Sequence, residues 1–207
     1  MKNINKRNLL AALFIVCAST IAASAQENEI AVLVGGMKTG DKGLQSTQTI
    51  KAAFDGAVSY EINYAHRLVD GKLASLHGEL LIAGAPKTNV KSTSLLLPKN
   101  YSTIFFTPGL KVKLFPGGIS PYVAAGLGLG RFTASDTNLN GQPNTGDRKN
   151  TTWVFNYGGG VDIPIFPHIA LRGEVRDFIA GTPKLNSQLF EKREHNIFVG
   201  GGVVVRF

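Results

Sequence analysis

From Glu29 to the last residue, apolar side chains recur at every second position in runs of about ten, separated by polar or glycine-rich stretches. Successive side chains of a strand point to opposite faces, so each run predicts a strand with one greasy face and one small or polar face. Eight runs can be traced: Glu29 to Gly36, Ala57 to Leu68, Leu73 to Gly84, Tyr101 to Phe115, Pro121 to Thr133, Thr151 to Ile163, Ile169 to Phe178 and His195 to Phe207. In the second, Val58, Tyr60, Ile62 and Tyr64 oppose Ser59, Glu61, Asn63 and Ala65. In the last, Ile197, Val199, Val203, Val205 and Phe207 oppose Asn196, Phe198, Val204 and Arg206. No window of helical period is long enough to build a bundle or to cross a bilayer.

The connections differ in kind. Met37 to Gly56, Ala85 to Asn100, Ala134 to Asn150 and Ile179 to Arg193 are long and polar and read as loops, the third as a mobile external one. Val69 to Lys72, Pro116 to Gly118 and Pro164 to His168 are short turns, with Gly71 after Asp70 expected at positive φ. Long and short alternate without exception, which puts every long loop at one end and both termini at the other. Membrane-spanning barrels carry this asymmetry, with short periplasmic turns and long extracellular loops. The predicted fold is all-β, an eight-stranded antiparallel up-and-down transmembrane β-barrel. Closure removes every sheet edge, so a monomer is expected. Pro108, inside the fourth run, predicts a local bulge or a lost ladder bond.

The first 25 residues read differently. Lys2, Lys6 and Arg7 precede a short apolar core from Leu9 to Ala18, and Ala23-Ser24-Ala25 is a small-residue cleavage site. The apolar core falls well short of the ~20 residues a spanning helix needs. Residues 1–25 therefore read as a secretory signal and residues 26–207 as one barrel domain. Cys17, the only cysteine, leaves with the signal, and Val16 before it is too large for a lipoprotein acceptor site. A mature chain without thiols excludes disulfides, thiolate metal sites and a cysteine nucleophile. The net charge of +8 falls to +5 once Lys2, Lys6 and Arg7 are removed. This modest balance suits a solvated surface or contact with anionic headgroups. Export and the lack of a basic stripe interleaved with aromatics argue against nucleic acid.

Alternation also sorts the charges. Glu61, His77, Glu79, Lys111, Lys113, Asp162, Arg172, Glu174, Arg176 and Arg206 all fall on the faces opposite the apolar ones and are assigned to the lumen. An eight-stranded barrel has an interior just wide enough to be filled by side chains, so these charges must pair. Tyr60, Tyr64, Tyr101, Phe106, Trp153, Phe155, Phe166 and Phe207 are assigned to aromatic girdles at the membrane interfaces. Ser75, His77 and Glu79 share one side of the third strand and have the residue types of a nucleophile, its base and an orienting acid. Positions two apart lie about 7 Å apart along a strand, so a direct relay requires bent side chains. No catalytic residue, cofactor or metal is assigned. Asp136, Asn138 and Asn140 ahead of Gly141 lack the closing glutamate of a calcium loop.

Over essentially the whole mature chain, this strand and loop pattern resembles the small OmpA-like outer-membrane β-barrel family, without the peptidoglycan-binding domain of its two-domain members. The last strand, with Val203, Val205 and terminal Phe207, resembles the C-terminal signal that the barrel-assembly machinery reads in that family. The resemblance implies a Gram-negative outer membrane, periplasmic termini, and contact with outer-membrane lipids and lipopolysaccharide. It also implies a structural or surface-interaction role through extracellular loops that meet an unknown ligand. Inward ion pairs similar to these act as gates of a narrow pore in the family, so a charge-lined channel is the alternative. A lipid A-modifying hydrolase is a further one, although the Ser-x-His order departs from the His-x-Ser order of such enzymes. A soluble lipocalin-like barrel would reverse the faces, with an apolar interior and polar exterior.

Overall fold

The computed structural model describes residues 27–40, 42–43, 51–92, 95, 97–181 and 194–207. The signal segment, its cleavage site, and most of the last long connection lie outside them. Eight long antiparallel strands form the wall: β1 (Asn28–Thr39), β4 (Ala57–Asp70), β5 (Ala74–Ser92), β6 (Asn100–Leu114), β7 (Ser120–Ala134), β8 (Lys149–Phe166), β9 (Ile169–Ala180) and β10 (Glu194–Arg206). Two short pieces, β2 (Lys42–Gly43) and β3 (Lys51–Phe54), prolong the sheet beyond the wall, β3 pairing with the far end of β5. Each wall strand pairs with its neighbours in sequence, and β1 pairs with β10, so the sheet returns on itself as an up-and-down barrel.

Burial follows the alternation. Ala31, Leu33, Glu61, Asn63, Lys111, Phe132 and Arg176 are shut inside, while Val32, Ile62, Leu80, Leu110, Leu127, Leu171 and Val203 are exposed on the outer wall. The outside is thus more apolar than the inside over the middle of every strand. Water cannot favour that arrangement, whereas hydrocarbon does. The faces are opposite to those of a soluble lipocalin-like barrel.

The strands outrun their expected ends at the long-loop side. Residues 37–39 complete β1, and 85–92 complete β5, where the sequence pattern predicts loops. In that part of β5 the exposed residues are Pro86, Lys87, Asn89 and Lys91, and the buried ones Ala85, Thr88 and Val90. The outer face has become polar, so the apolar-outside signature disappears although the ladder continues, with one register shift between Ala85 and Thr88.

Other local expectations meet mixed outcomes. Pro108 does remove ladder pairing: β6 and β7 pair at Phe106–Leu129 and again at Gly109–Gly126, with nothing between and no change of register. Gly71 is not at positive φ; among the described glycines that conformation belongs to Gly117 (+98°) and Gly141 (+80°), and Phe115 adopts it too (+52°). The hairpin at 71–73 instead needs a small residue because a Cβ on Gly71 would lie 2.5 Å from the Ala74 carbonyl oxygen. The segment between β7 and β8, expected to be mobile, is folded. Its backbone bonds to the preceding loop through Leu139 N to Leu97 O (2.9 Å), Asn140 N to Leu95 O (3.1 Å) and Lys99 N to Thr137 O (3.0 Å).

Candidate functional site: the barrel interior

Each of the ten charged residues assigned to the lumen lies there. Glu61, Lys111, Asp162 and Arg176 are fully buried, His77, Glu79, Lys113, Arg172 and Glu174 nearly so, and Arg206 is half-buried at the mouth beside the C-terminus. The structure adds two more that period-two alternation does not mark, Glu29, buried at the start of β1, and Glu194, buried at the start of β10.

Glu29 organises the half of the lumen nearest the short turns. Its Oε1 accepts hydrogen bonds from Lys111 Nζ (3.2 Å) and Arg172 Nη2 (2.8 Å), and its Oε2 from Lys113 Nζ (2.7 Å). Asp162 receives Arg172 Nε at 2.7 Å, Lys113 Nζ at 2.6 Å and Arg206 Nη2 at 3.3 Å. One turn-end network thus joins β1, β6, β8, β9 and β10.

A second group lies deeper. Arg176 donates from Nη1 to Glu79 Oε1 (2.7 Å) and Asn156 Oδ1 (2.9 Å) and from Nε to Glu174 Oε1 (2.5 Å). Tyr122 donates its hydroxyl to the other oxygen of Glu174, and its ring stands under Lys111 and Arg172, 5.1 and 4.8 Å from the centroid. Lys111 links the two groups, because its ammonium reaches Glu79 Oε2 (2.8 Å) as well as Glu29. Buried charges are tolerated only when paired and hydrogen-bonded. Glu61 is the exception: no donor group satisfies its carboxyl oxygens, and its neighbours include the Glu174 carboxyl, within hydrogen-bonding reach, and Glu79 as well as Arg176.

Toward the long loops the filling changes character. Leu33, Leu81, Phe105, Phe132, Val154, Phe178 and Phe198 are wholly buried, with Met37, Val90, Leu97 and Tyr101 above them. Phe105 stacks on Phe178 with centroids 4.8 Å apart and meets Phe132 edge-on at 5.9 Å, both favoured aromatic arrangements. Leu139 from the β7–β8 connection packs onto this cluster. The lumen is therefore an ion-pair network in one half and mainly apolar in the other, where Thr39, Thr88, Glu194 and Asn196 are buried among the hydrophobic side chains.

Two expectations need correction here. Tyr101 belongs to the interior, not to a girdle: it is 6 % exposed and donates to Thr39 Oγ1 (3.0 Å), as its parity with Phe105 on β6 dictates. Tyr60, Tyr64, Phe106, Trp153, Phe155 and Phe166 are exposed on the outer wall, and Phe207 is half-buried. Ser75 and His77 do meet, Oγ to Nε2 at 3.0 Å, because the far ring nitrogen spans the gap that backbone spacing alone leaves open. Glu79 does not join them. It is held by Lys111 and Arg176, and His77 Nδ1 has no partner, so no three-membered relay forms. Ser75 and His77 line a small cavity of about 50 Å³ with Glu29, Lys113 and Arg206, facing the lumen mouth and not the lipid.

A small polar cluster around one carboxylate lies on the outer wall. Asp177 accepts from Tyr157 (3.3 Å) and lies 2.7 Å from His195 Nδ1. Its parity with Leu171 and Val175 puts it on the outward face of β9.

A family model described as the outer membrane protein beta-barrel domain matches residues 9–207. The chain belongs to the outer-membrane β-barrel protein family. Its membrane is accordingly the outer membrane. Among solved structures, Neisserial surface protein A is similar at 18 % identity with a TM-score of 0.55, over 89 % of this chain and 99 % of that one. The N-terminal β-barrel domain of Pseudomonas aeruginosa OprF has 15 % identity and a TM-score of 0.48, over 89 % of this chain and 100 % of that one. The outer-membrane enzyme PagL has 13 % identity and a TM-score of 0.44, over 86 % and 99 %. No curated protein sequence matches the chain. Identities this low speak to fold alone.

Proposed function

We propose that this outer-membrane barrel is a closed structural scaffold that presents its long connections at the cell surface as an interaction surface. The observation that carries the reading is the apolar half of the lumen. Phe105, Phe132, Phe178 and Phe198 fill the section beneath the loops, and Leu97 and Leu139 from two of those loops cover it. An ion passing along the charged half meets a packed hydrocarbon layer, where leaving water costs several kcal/mol. The ion pairs of Glu29, Glu79, Asp162, Arg172 and Arg176 then act as a static plug. The described residues of the loops between β5 and β6 and between β7 and β8, joined by the Pro98–Asn138 bridge, offer a platform suited to contact.

The test has two readouts. An epitope inserted at the Gly141 turn is expected to be labelled on intact cells, and the purified barrel to give no unitary conductance in planar bilayers. Labelling only after lysis, or discrete conductance steps from the native protein, overturns the reading.

A further inference from the structure

The outer wall of the barrel is not uniformly convex. Across β4, β5, β6 and β7 the register sets Tyr60, Gly84, Ile104 and Arg131 side by side in one row. Gly84 has no side chain, so Tyr60 and Ile104 become the walls of a groove of about 420 Å³, continued along the strands by Ile62 and Ile82. That volume lies in the ~300–1,000 Å³ range of small-ligand sites. The depression is a fixed part of the wall, because a Cβ on Gly84 would lie 2.6 Å from the Thr103 carbonyl oxygen.

Chemistry is graded along the groove. The middle is aliphatic, and the end toward the long loops carries Arg131 with Ser102 and Thr133. Arg131 is exposed and has no ion-pair partner among the described residues, as is also true of Lys87, just past the groove residue Pro86. Arg131 follows Leu129, whose partner across β7–β8 is Trp153, an exposed indole of the kind that marks a membrane–water boundary. An unpaired guanidinium at that height, above an aliphatic trough, complements a phosphate attached to an acyl chain.

We propose that this groove binds one phosphorylated glycolipid of the lipid A type, an acyl chain along Ile62, Ile82 and Ile104 and a phosphate on Arg131. The choice of this lipid rests on the proposed reading that the long-loop end faces outward, where the leaflet is glycolipid. Binding itself requires neither surface labelling nor closure of the lumen, so it fails or holds independently of them.

The folded barrel in detergent micelles is offered diphosphoryl lipid A or phosphatidylglycerol and analysed by native mass spectrometry. The expected result is one retained lipid A, weakened at least fivefold by Arg131→Gln and by groove-filling Ile82→Trp, and unchanged by Lys72→Gln at the opposite rim. Heat-dependent gel mobility confirms that each variant is folded. Retention of phosphatidylglycerol in preference to lipid A, undiminished binding by folded Arg131→Gln, or no retained lipid overturns the proposal.

Discussion

Arg176 and Glu79, 97 positions apart in sequence, meet inside the barrel at 2.7 Å with neither side chain exposed. The same guanidinium also holds Glu174 and Asn156, so three wall strands, β5, β8 and β9, converge on one cation. Removing it leaves Glu174 buried without a counter-charge and Glu79 with Lys111 alone. Arg176→Met is expected to destabilise the barrel by about 3–5 kcal/mol, the usual effect of breaking a buried pair from one side. Urea unfolding in lipid vesicles, followed through Trp153, measures this. A loss under about 1 kcal/mol would mean that the pair contributes little beyond filling space.

Glu61 tests the same electrostatics with the opposite sign. It is fully buried, no donor group satisfies its oxygens, and it shares its surroundings with Glu79 and with the Glu174 carboxyl, within hydrogen-bonding reach. Glu61→Gln keeps the shape and removes an acid from beside two others, so stability is expected to hold or rise by about 1 kcal/mol. Glu79→Gln, which empties an acceptor for Lys111 and Arg176, is expected to cost about 3 kcal/mol in the same assay. Equal destabilisation by both substitutions would show that the lumen treats its acids alike and that the lack of a donor at Glu61 has no energetic meaning.

The contrast between these two acids bears on what a sequence can disclose. Period-two alternation carries a residue's side of the wall, and it placed Glu61 and Glu79 in the lumen equally well. It carries nothing about partners, which depend on register between strands such as β5 and β9 that are far apart in sequence. Glu29 was missed because it stands at the edge of its run, where no flanking alternation marks its side. Tyr101 stands near a strand end, as girdle aromatics do, but its parity with Phe105 turns it inward. The ends of β1 and β5 were unreadable for a different reason. Once a strand leaves hydrocarbon, residues such as Lys87 and Lys91 can face outward at no penalty, and a polar stretch reads as loop. Leu97, last of the run Leu95-Leu96-Leu97, and Leu139, an isolated apolar residue in polar surroundings, were the available sign that those loops contribute to the lumen.

Phe207 separates two roles that coincide at the last residue. Its backbone closes the barrel, donating to Asn28 O and accepting from Asn28 N, both at 2.9 Å, while its half-buried ring lies beyond the last paired residues of β10. A chain shortened by Phe207 loses the ring and both hydrogen bonds; Phe207→Ala loses only the ring. If the terminal aromatic is a signal read during assembly, the two variants should show the same several-fold fall in outer-membrane abundance, while purified Phe207→Ala refolds in vesicles with native stability. If the residue matters only for closure, Phe207→Ala should reach normal abundance. The truncated chain alone should then unfold more easily, by about 1–3 kcal/mol for the lost pair. Quantifying outer-membrane abundance beside urea midpoints for the same three chains distinguishes these outcomes.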